Sequence, residues 1–517
     1  MNSKIISALS EHAQHQGDKA AFIGRNHDGS ACVLTYRQLL EQVQKYAAYF
    51  QQHSAHCVAI YAENSPAWLV ADLAAMYAGI PCIPVPKFFS QQQIDHVLSQ
   101  TQADLLIHDQ LLDGFSEAEG EKICGELAIG HRDLAAASSA ESAILSENIL
   151  PGTVKITFTS GSTGHPEGVC LSQKNLDEVT LSLAEGIRSC EGLEKHLVML
   201  PLSTLLENIT GGYVPLYLGV TSVVPDGRSV GLSGSSQFDA LQWMQTLLES
   251  RPDTMVLTPA LLHALVTLSQ HHAEVVSSLK FVAVGGAHVP KAVLEQARRA
   301  GIPAYEGYGL SECSSVVALN TPQQDRPGSS GKVLPHVQVR IADDGEIWVK
   351  DGIALGYLGQ PFAQTWLATG DLGTLDGQGY LYVRGRKKNQ IITSFGRNIS
   401  PEWIEAEAQH WEALRHFFVT GESQDRLSAV LVSNDVQGAI EAVQALNETL
   451  PDYAQVCQLI FIKDSETYRS FLTANQRPRR AVIEQQTQAW LNNPGLYRDT
   501  IAIITLNLTI ETLEVSL

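Results

Sequence analysis

The sequence predicts an α/β protein of more than one domain, and three observations carry that expectation. The chain has 517 residues, too many for one ordinary hydrophobic core, so it divides into two or three domains. Helix and strand patterns alternate from about residue 35 to about residue 320, the mark of an α/β architecture. From about residue 325 to residue 385 the texture changes: glycines from Gly328 to Gly379 punctuate short apolar runs, which reads as compact β hairpins.

The elements follow in order. Ala67 to Val85 is the longest apolar stretch, but Asp72, Gly79, Pro81 and Pro84 interrupt it, so it reads as a helix and then a strand rather than a membrane span. Asn64 or Ser65 can cap that helix, Pro66 suits its first turn and Gly79 its exit, with a short strand at Cys82 to Val85. Val154 to Phe158 reads as a buried strand, as do Val256 to Leu257 and Phe281 to Val284. Val337 to Ile341 and Glu346 to Val349 are hairpin strands. Ser400 is placed to cap a helix with Pro401 in its first turn and Glu402 and Glu405 near its positive end. Near the end, Thr505 to Glu511 alternates polar and apolar residues after the turn Asn493-Pro494-Gly495, a half-buried strand.

Composition narrows the function. Residues are 44% hydrophobic and 17% charged, and 35 Lys plus Arg stand against 55 Asp plus Glu for a net charge of -20. That balance opposes general affinity for nucleic acid or anionic lipid, so an anionic ligand has to be met by local groups. The eight cysteines are scattered with no C-x-x-C pair, which points away from a zinc site or a disulfide framework and towards a reducing cytoplasm. The N-terminus lacks a signal peptide's apolar core, and no transmembrane span is expected.

The most informative segment is Thr159 to Val169, T-S-G-S-T-G-H-P-E-G-V. Glycine lets a main chain approach a ligand closely, and Ser160, Ser162 and Thr163 add hydroxyl donors to the free N–H groups of the loop. The loop follows a strand, and open α/β sheets bind ligands at strand carboxyl ends, so it reads as a phosphate cradle. It is no Walker loop, because Glu167 stands after Pro166 where a cation would be needed. Four further segments follow. Val284-Gly285-Gly286-Ala287 ends a strand without bulky side chains, so a flat ligand could lie on the backbone. In Tyr305 to Glu312, Y-E-G-Y-G-L-S-E, Tyr308 could stack on a purine and Glu312 could hold a hard cation such as Mg2+. Thr369-Gly370-Asp371-Leu372 sets a carboxylate in a turn where ribose hydroxyls could donate to it. Gly385 to Ile392 places Arg386, Lys387 and Lys388 beside a strand, which by itself is most often a solvated face.

Together, in this order and spacing, the five segments resemble the adenylate-forming superfamily of acyl-CoA synthetases, nonribosomal-peptide adenylation domains and firefly luciferase. The resemblance runs from Leu34 to Asn475. It implies a large N-terminal domain of α/β subdomains with a small β-barrel-like subdomain, residues 1–385, and a small mobile α+β domain, residues 386–517, turning on a hinge near Lys388. By the same resemblance Thr159, Ser160, Gly161, Ser162, Thr163 and Gly164 hold the ATP phosphates. Gly285, Gly286 and Ala287 line the adenine, Tyr308 stacks on it within the Gly309 and Ser311 turn, Glu312 binds Mg2+, and Asp371 and Arg386 hold the ribose. Thr163, Glu312, Lys388 and Arg477 are the catalytic set. In the motif that resembles N-G-K, Asn475-Gln476-Arg477, arginine stands where lysine is expected. Its forked guanidinium keeps the charge but not the shape. Glu167 is a second departure from a common lysine.

The chemistry implied is activation of a carboxylic acid as its acyl-adenylate, with pyrophosphate released, and then transfer to a thiol, either coenzyme A or the phosphopantetheine of an acyl carrier protein. Leu200-Pro201-Leu202-Ser203-Thr204-Leu205-Leu206-Glu207 resembles L-P-L-x-H-x-x-E of long-chain acyl-CoA synthetases, with Thr204 in the histidine place. No aspartate lies between Pro201 and Tyr217 to pair with a substrate ammonium, which disfavours an amino acid. An aliphatic fatty acid is expected, with Ser394 to Arg397 facing the thiol. The two departures leave open an acyl- or nucleotide-binding homologue without catalysis, and an enzyme of the thioester half-reaction alone.

Overall fold

The computed structural model describes residues 3–25, 30–132, 148–159, 166–233, 237–287, 289, 291–394, 398–409, 411–473, 478–497 and 499–506. Two nine-stranded sheets carry most of the chain ahead of residue 386. In the first, Lys195–Leu197, Thr221–Val224, Thr254–Leu257, Phe281–Val284 and Ala304–Tyr308 form a parallel centre. Parallel neighbours need crossovers, and the helices Ala240–Ser250, Pro259–His271 and Lys291–Arg299 supply three of them. The second sheet has a parallel centre of Leu105–His108, Val58–Tyr61, Cys82–Pro84 and Thr153–Thr159, and Glu167–Ser172 runs antiparallel beside the last of these.

The apolar stretch near residue 70 explains how the two sheets join. Ser65 Oγ accepts from Trp68 N at 3.2 Å, and Gly79 leaves the helix at φ 71°. Helix Pro66–Ala78 is buried at every position from Pro66 to Met76. It has no polar stripe because it packs on Ala20–Arg25 of one sheet and on Val58–Tyr61 of the other. The short strand then follows at Cys82–Pro84, and no helix among the described residues is long and apolar enough to cross a membrane.

The small barrel-like unit expected from the glycine-rich segment is a four-stranded antiparallel sheet of Gln338–Ile341, Glu346–Lys350, Leu367–Leu375 and Leu381–Arg386. Beyond it, two buried clusters are built wholly from Ile391 onward, around the sheet Phe417–Thr420, Leu427–Leu431, Val456–Ile462 and Ile501–Thr505. Two local expectations shift. Ser400 does precede helix Pro401–Ala408, but its hydroxyl donates to Glu402 Oε2 at 3.1 Å rather than capping the helix. The last strand is Ile501–Thr505, ahead of the expected Thr505 to Glu511, most of which lies outside the described residues.

Candidate active site

Strand Thr153–Thr159 is buried up to Phe158 and delivers Thr159 to the edge of the second sheet, opposite Glu167 in the antiparallel register. The residues expected to cradle phosphate, Ser160, Gly161, Ser162, Thr163 and Gly164, lie outside the described residues, as does Arg477. The stems of the Arg477 loop are described: Leu472 bridges Pro478, and Arg479 N donates to Phe471 O at 2.7 Å.

At the end of strand Phe281–Val284, Gly285 N donates to Leu257 O at 3.0 Å. Gly286 adopts φ 84°, and Gly286 and Ala287 are exposed. A side chain is also impossible at Gly309, where a Cβ would lie 1.7 Å from Ser315 O. These are bare backbone surfaces of the kind a flat ring can approach.

The strand Ala304–Tyr308 carries two acids' worth of consequences. Tyr308 donates its hydroxyl to Asp371 Oδ2 at 2.6 Å, and the Arg386 Nε lies 2.9 Å from Asp371 Oδ1. Arg386 also donates to Thr369 O at 3.2 Å. Asp371 and Arg386 face each other because the strands Leu367–Leu375 and Leu381–Arg386 pair in that register. Burial pushes the Asp371 carboxyl up, opposed by Arg386 and by the Tyr308 hydroxyl. Burial, with the Asp371 charge next, pushes the Tyr308 phenol well up, so it stays a donor. Two residues earlier on the strand, Glu306 is buried with Ser330 Oγ donating to it at 2.9 Å, and burial pushes its carboxyl up to about 8.

Glu312 sits in the turn Ser311–Cys313, where Tyr357 donates its hydroxyl to Glu312 Oε1 at 2.9 Å. Tyr357 belongs to the strand that pairs with Glu167–Ser172, so the turn and the phosphate-loop strands are joined through it. Among the described residues no three His, Cys, Asp or Glu side chains converge on a metal site. Glu312 therefore suits a cation completed by phosphate oxygens, as Mg2+ prefers. Lys388 lies exposed in the turn Lys387–Asn389, whereas its neighbour Lys387 is held by Asp344 at 2.7 Å and Glu346 at 2.9 Å.

The acid segment is more closed. It contains Leu205–Glu207 and a π-helical turn Asn208–Tyr213. Glu207 is fully buried and accepts from Met199 N at 3.1 Å, with His196 Nε2 3.7 Å away. Burial pushes the Glu207 carboxyl up.

Sequence reasoning missed Tyr357, Glu306 and the buried Glu207 contact. Glu306 had a signal in the alternation of Ala304 to Tyr308, which puts it on the inward side. The Tyr357 contact spans 45 residues and had none.

The AMP-binding enzyme family matches residues 9–358, and the chain belongs to that family. It is an AMP-forming acid–thiol ligase. It is similar to the 2-succinylbenzoate–CoA ligase of Bacillus velezensis, 28% identical over 447 residues that span 82% of this chain and 86% of that one. It is also similar to the long-chain-fatty-acid–CoA ligase FadD15 of Mycobacterium bovis, 25% identical over 439 residues, 72% of each chain. The crystal structure of the anthranilate CoA ligase AuaEII in complex with anthranoyl-AMP shares the fold at TM-score 0.74 and 18% identity, covering 95% of this chain and 98% of that one.

Proposed function

We propose that this chain activates an aliphatic fatty acid with ATP and Mg2+ as its acyl-adenylate and then passes the acyl group to the thiol of coenzyme A or of a carrier-protein phosphopantetheine. The observation that carries the nucleotide half is the convergence of Tyr308 and Arg386 on Asp371, reached from segments 63 residues apart. A carboxylate with one oxygen on each partner keeps lone pairs for ribose hydroxyls, and Arg386 sets its orientation. Gly285 to Ala287 leave the backbone bare for adenine, and Thr159 to Gly164 donate to phosphate. Bound Mg2+ would supply charge neutralisation at the phosphates, with Glu312 as its protein ligand and Tyr357 orienting that carboxylate.

The acid is activated because an oxide is a poor leaving group. Its oxygen bonds to the α-phosphorus and pyrophosphate departs; the thiol then bonds to the acyl carbon and AMP departs. Negative charge grows at the α-phosphate in the first step, and Arg477 is the residue placed to meet it. Residues 386–517 form the small domain in this reading, and Lys388, exposed at its start, is the hinge between the half-reactions. An uncharged acid is favoured because the carboxylates beside the segment Pro201 to Tyr217 are already engaged, Glu207 by Met199 N and Asp72 by Lys155. The name of one relative, a long-chain-fatty-acid–CoA ligase, supports an aliphatic tail.

A second reading, binding without catalysis, is favoured by one observation: Glu167 stands beside Thr159 where a lysine would assist phosphate. Incubation with Mg-ATP and a panel of fatty acids separates the two. Acid-dependent pyrophosphate and AMP support the ligase; ATP binding with no acid-dependent product supports the binder.

A further inference from the structure

Between the two sheets lies a polar cluster that catalysis leaves without a role. Lys155, on the strand leading to Thr159, pairs with Asp72 of helix Pro66–Ala78 at 2.5 Å, their side chains 2% and 0% exposed. The ammonium also donates to Asn208 Oδ1 at 2.5 Å and lies 5.2 Å from the centre of the Tyr213 ring. Asp72 Oδ2 in turn accepts from Asn208 Nδ2 at 3.1 Å and from the Tyr213 hydroxyl at 2.6 Å. Lys155 is the only fully buried lysine or arginine among the described residues.

Stability does not account for the cluster. Desolvating an ion pair costs several kcal/mol per charge, and an apolar replacement of similar volume is often no less stable. Its position is informative instead. Asn208 and Tyr213 open and close the π-helical turn in the acid segment, and such turns recur at functional sites. That turn is seated tightly, for a Cβ at Gly212 would lie 2.9 Å from Leu69 of the same helix that carries Asp72.

We propose that the Lys155–Asp72–Asn208–Tyr213 cluster fixes the substrate class: the site takes acids whose tails carry no charge and rejects those with a second carboxylate or an ammonium group. The inference rests on the ligase reading and concerns the same site. A second carboxylate needs a buried cation, and the charge of Lys155 is already matched by Asp72. An ammonium needs a buried carboxylate, and Asp72 is matched by Lys155. Either tail charge would stay unpaired in a low-dielectric wall. The chain thus parts company with a relative named for 2-succinylbenzoate, which is a dicarboxylate.

Pyrophosphate release with Mg-ATP is measured for matched sets of monocarboxylic, α,ω-dicarboxylic and ω-amino acids, such as dodecanoate, dodecanedioate and its amino analogue. For the wild-type chain, kcat/KM for the monocarboxylate should exceed both charged analogues on the order of a hundredfold, the scale of an unpaired buried charge. In Asp72→Asn the freed ammonium should narrow the gap to the dicarboxylate by about tenfold or more, and in Lys155→Met the freed carboxylate should do so for the ω-amino acid, with KM for ATP unchanged. Wild-type use of either charged analogue at a rate near that of the monocarboxylate overturns the inference, whether or not the variants fold, and leaves the ligase reading standing. A folded Asp72→Asn or Lys155→Met with unmoved selectivity also overturns it. Release with no acid at all overturns the ligase reading, and this inference with it.

Discussion

Replacing Glu306 with glutamine tests the electrostatics of the nucleotide cleft. The folded carboxyl holds its proton to about 8, whereas its ordinary value is 4.5. Between those limits the folded state binds more protons than the unfolded one, so stability is full below pH 4.5 and falls as pH rises through about 8. At pH 7 about 2.5 units of that interval have been crossed, and at 1.36 kcal/mol per unit the loss is about 3 kcal/mol. Glutamine keeps the acceptor for Ser330 and carries no proton to lose. Glu306→Gln should therefore match the wild type near pH 4.5 and be more stable at pH 8, a difference of a few degrees in thermal midpoint read by scanning calorimetry. Above pH 8 the wild-type carboxylate also adds negative charge two residues from Tyr308, so KM for ATP should climb with pH in the wild type and less in the variant. An unchanged pH dependence of both quantities in Glu306→Gln would refute the reasoning.

Three other outcomes are expected. Asp371→Asn removes the charge that holds Arg386 and the acceptor assigned to ribose, and should raise KM for ATP on the order of tenfold or more in steady-state assays. Tyr357→Phe deletes one hydrogen bond to Glu312, so a magnesium titration should show half-saturation raised about fivefold with the maximal rate little altered. Arg480→Met strands Glu405, which Arg480 grips with both terminal nitrogens. It should destabilise the region after residue 386 by about 3 kcal/mol in denaturant melts, and adding Glu405→Gln should recover most of that.

Much of the fold was legible because its signals are local. Ser65, Pro66 and Gly79 mark both ends of one helix within fifteen positions, and the glycines after Gly328 mark hairpin turns whose strands fall where the apolar runs lie. The nucleotide-site residues were legible as separate motifs, but their arrangement was not. Tyr308, Asp371 and Arg386 meet only because two antiparallel strands pair in one register and a third strand ends beside them. Asp72 read as an interruption in an apolar stretch, and Lys155 as one cation in a β-branched run. Their pairing spans 83 residues and depends on how a helix is clamped between two sheets, which no local pattern encodes. The tail strand was displaced because alternation over Thr505 to Glu511 continues that of Ile501 to Thr505, and period alone does not fix where pairing stops.

The central claim is that a carboxylate oxygen of the acid becomes bonded to the α-phosphorus of ATP. The most direct measurement supplies a fatty acid labelled with oxygen-18 in its carboxyl group, together with Mg-ATP and coenzyme A, and weighs the AMP produced. Attack by the carboxylate followed by attack of the thiol on the acyl carbon leaves one labelled oxygen in AMP. Acyl thioester accompanied by unlabelled AMP would contradict the account.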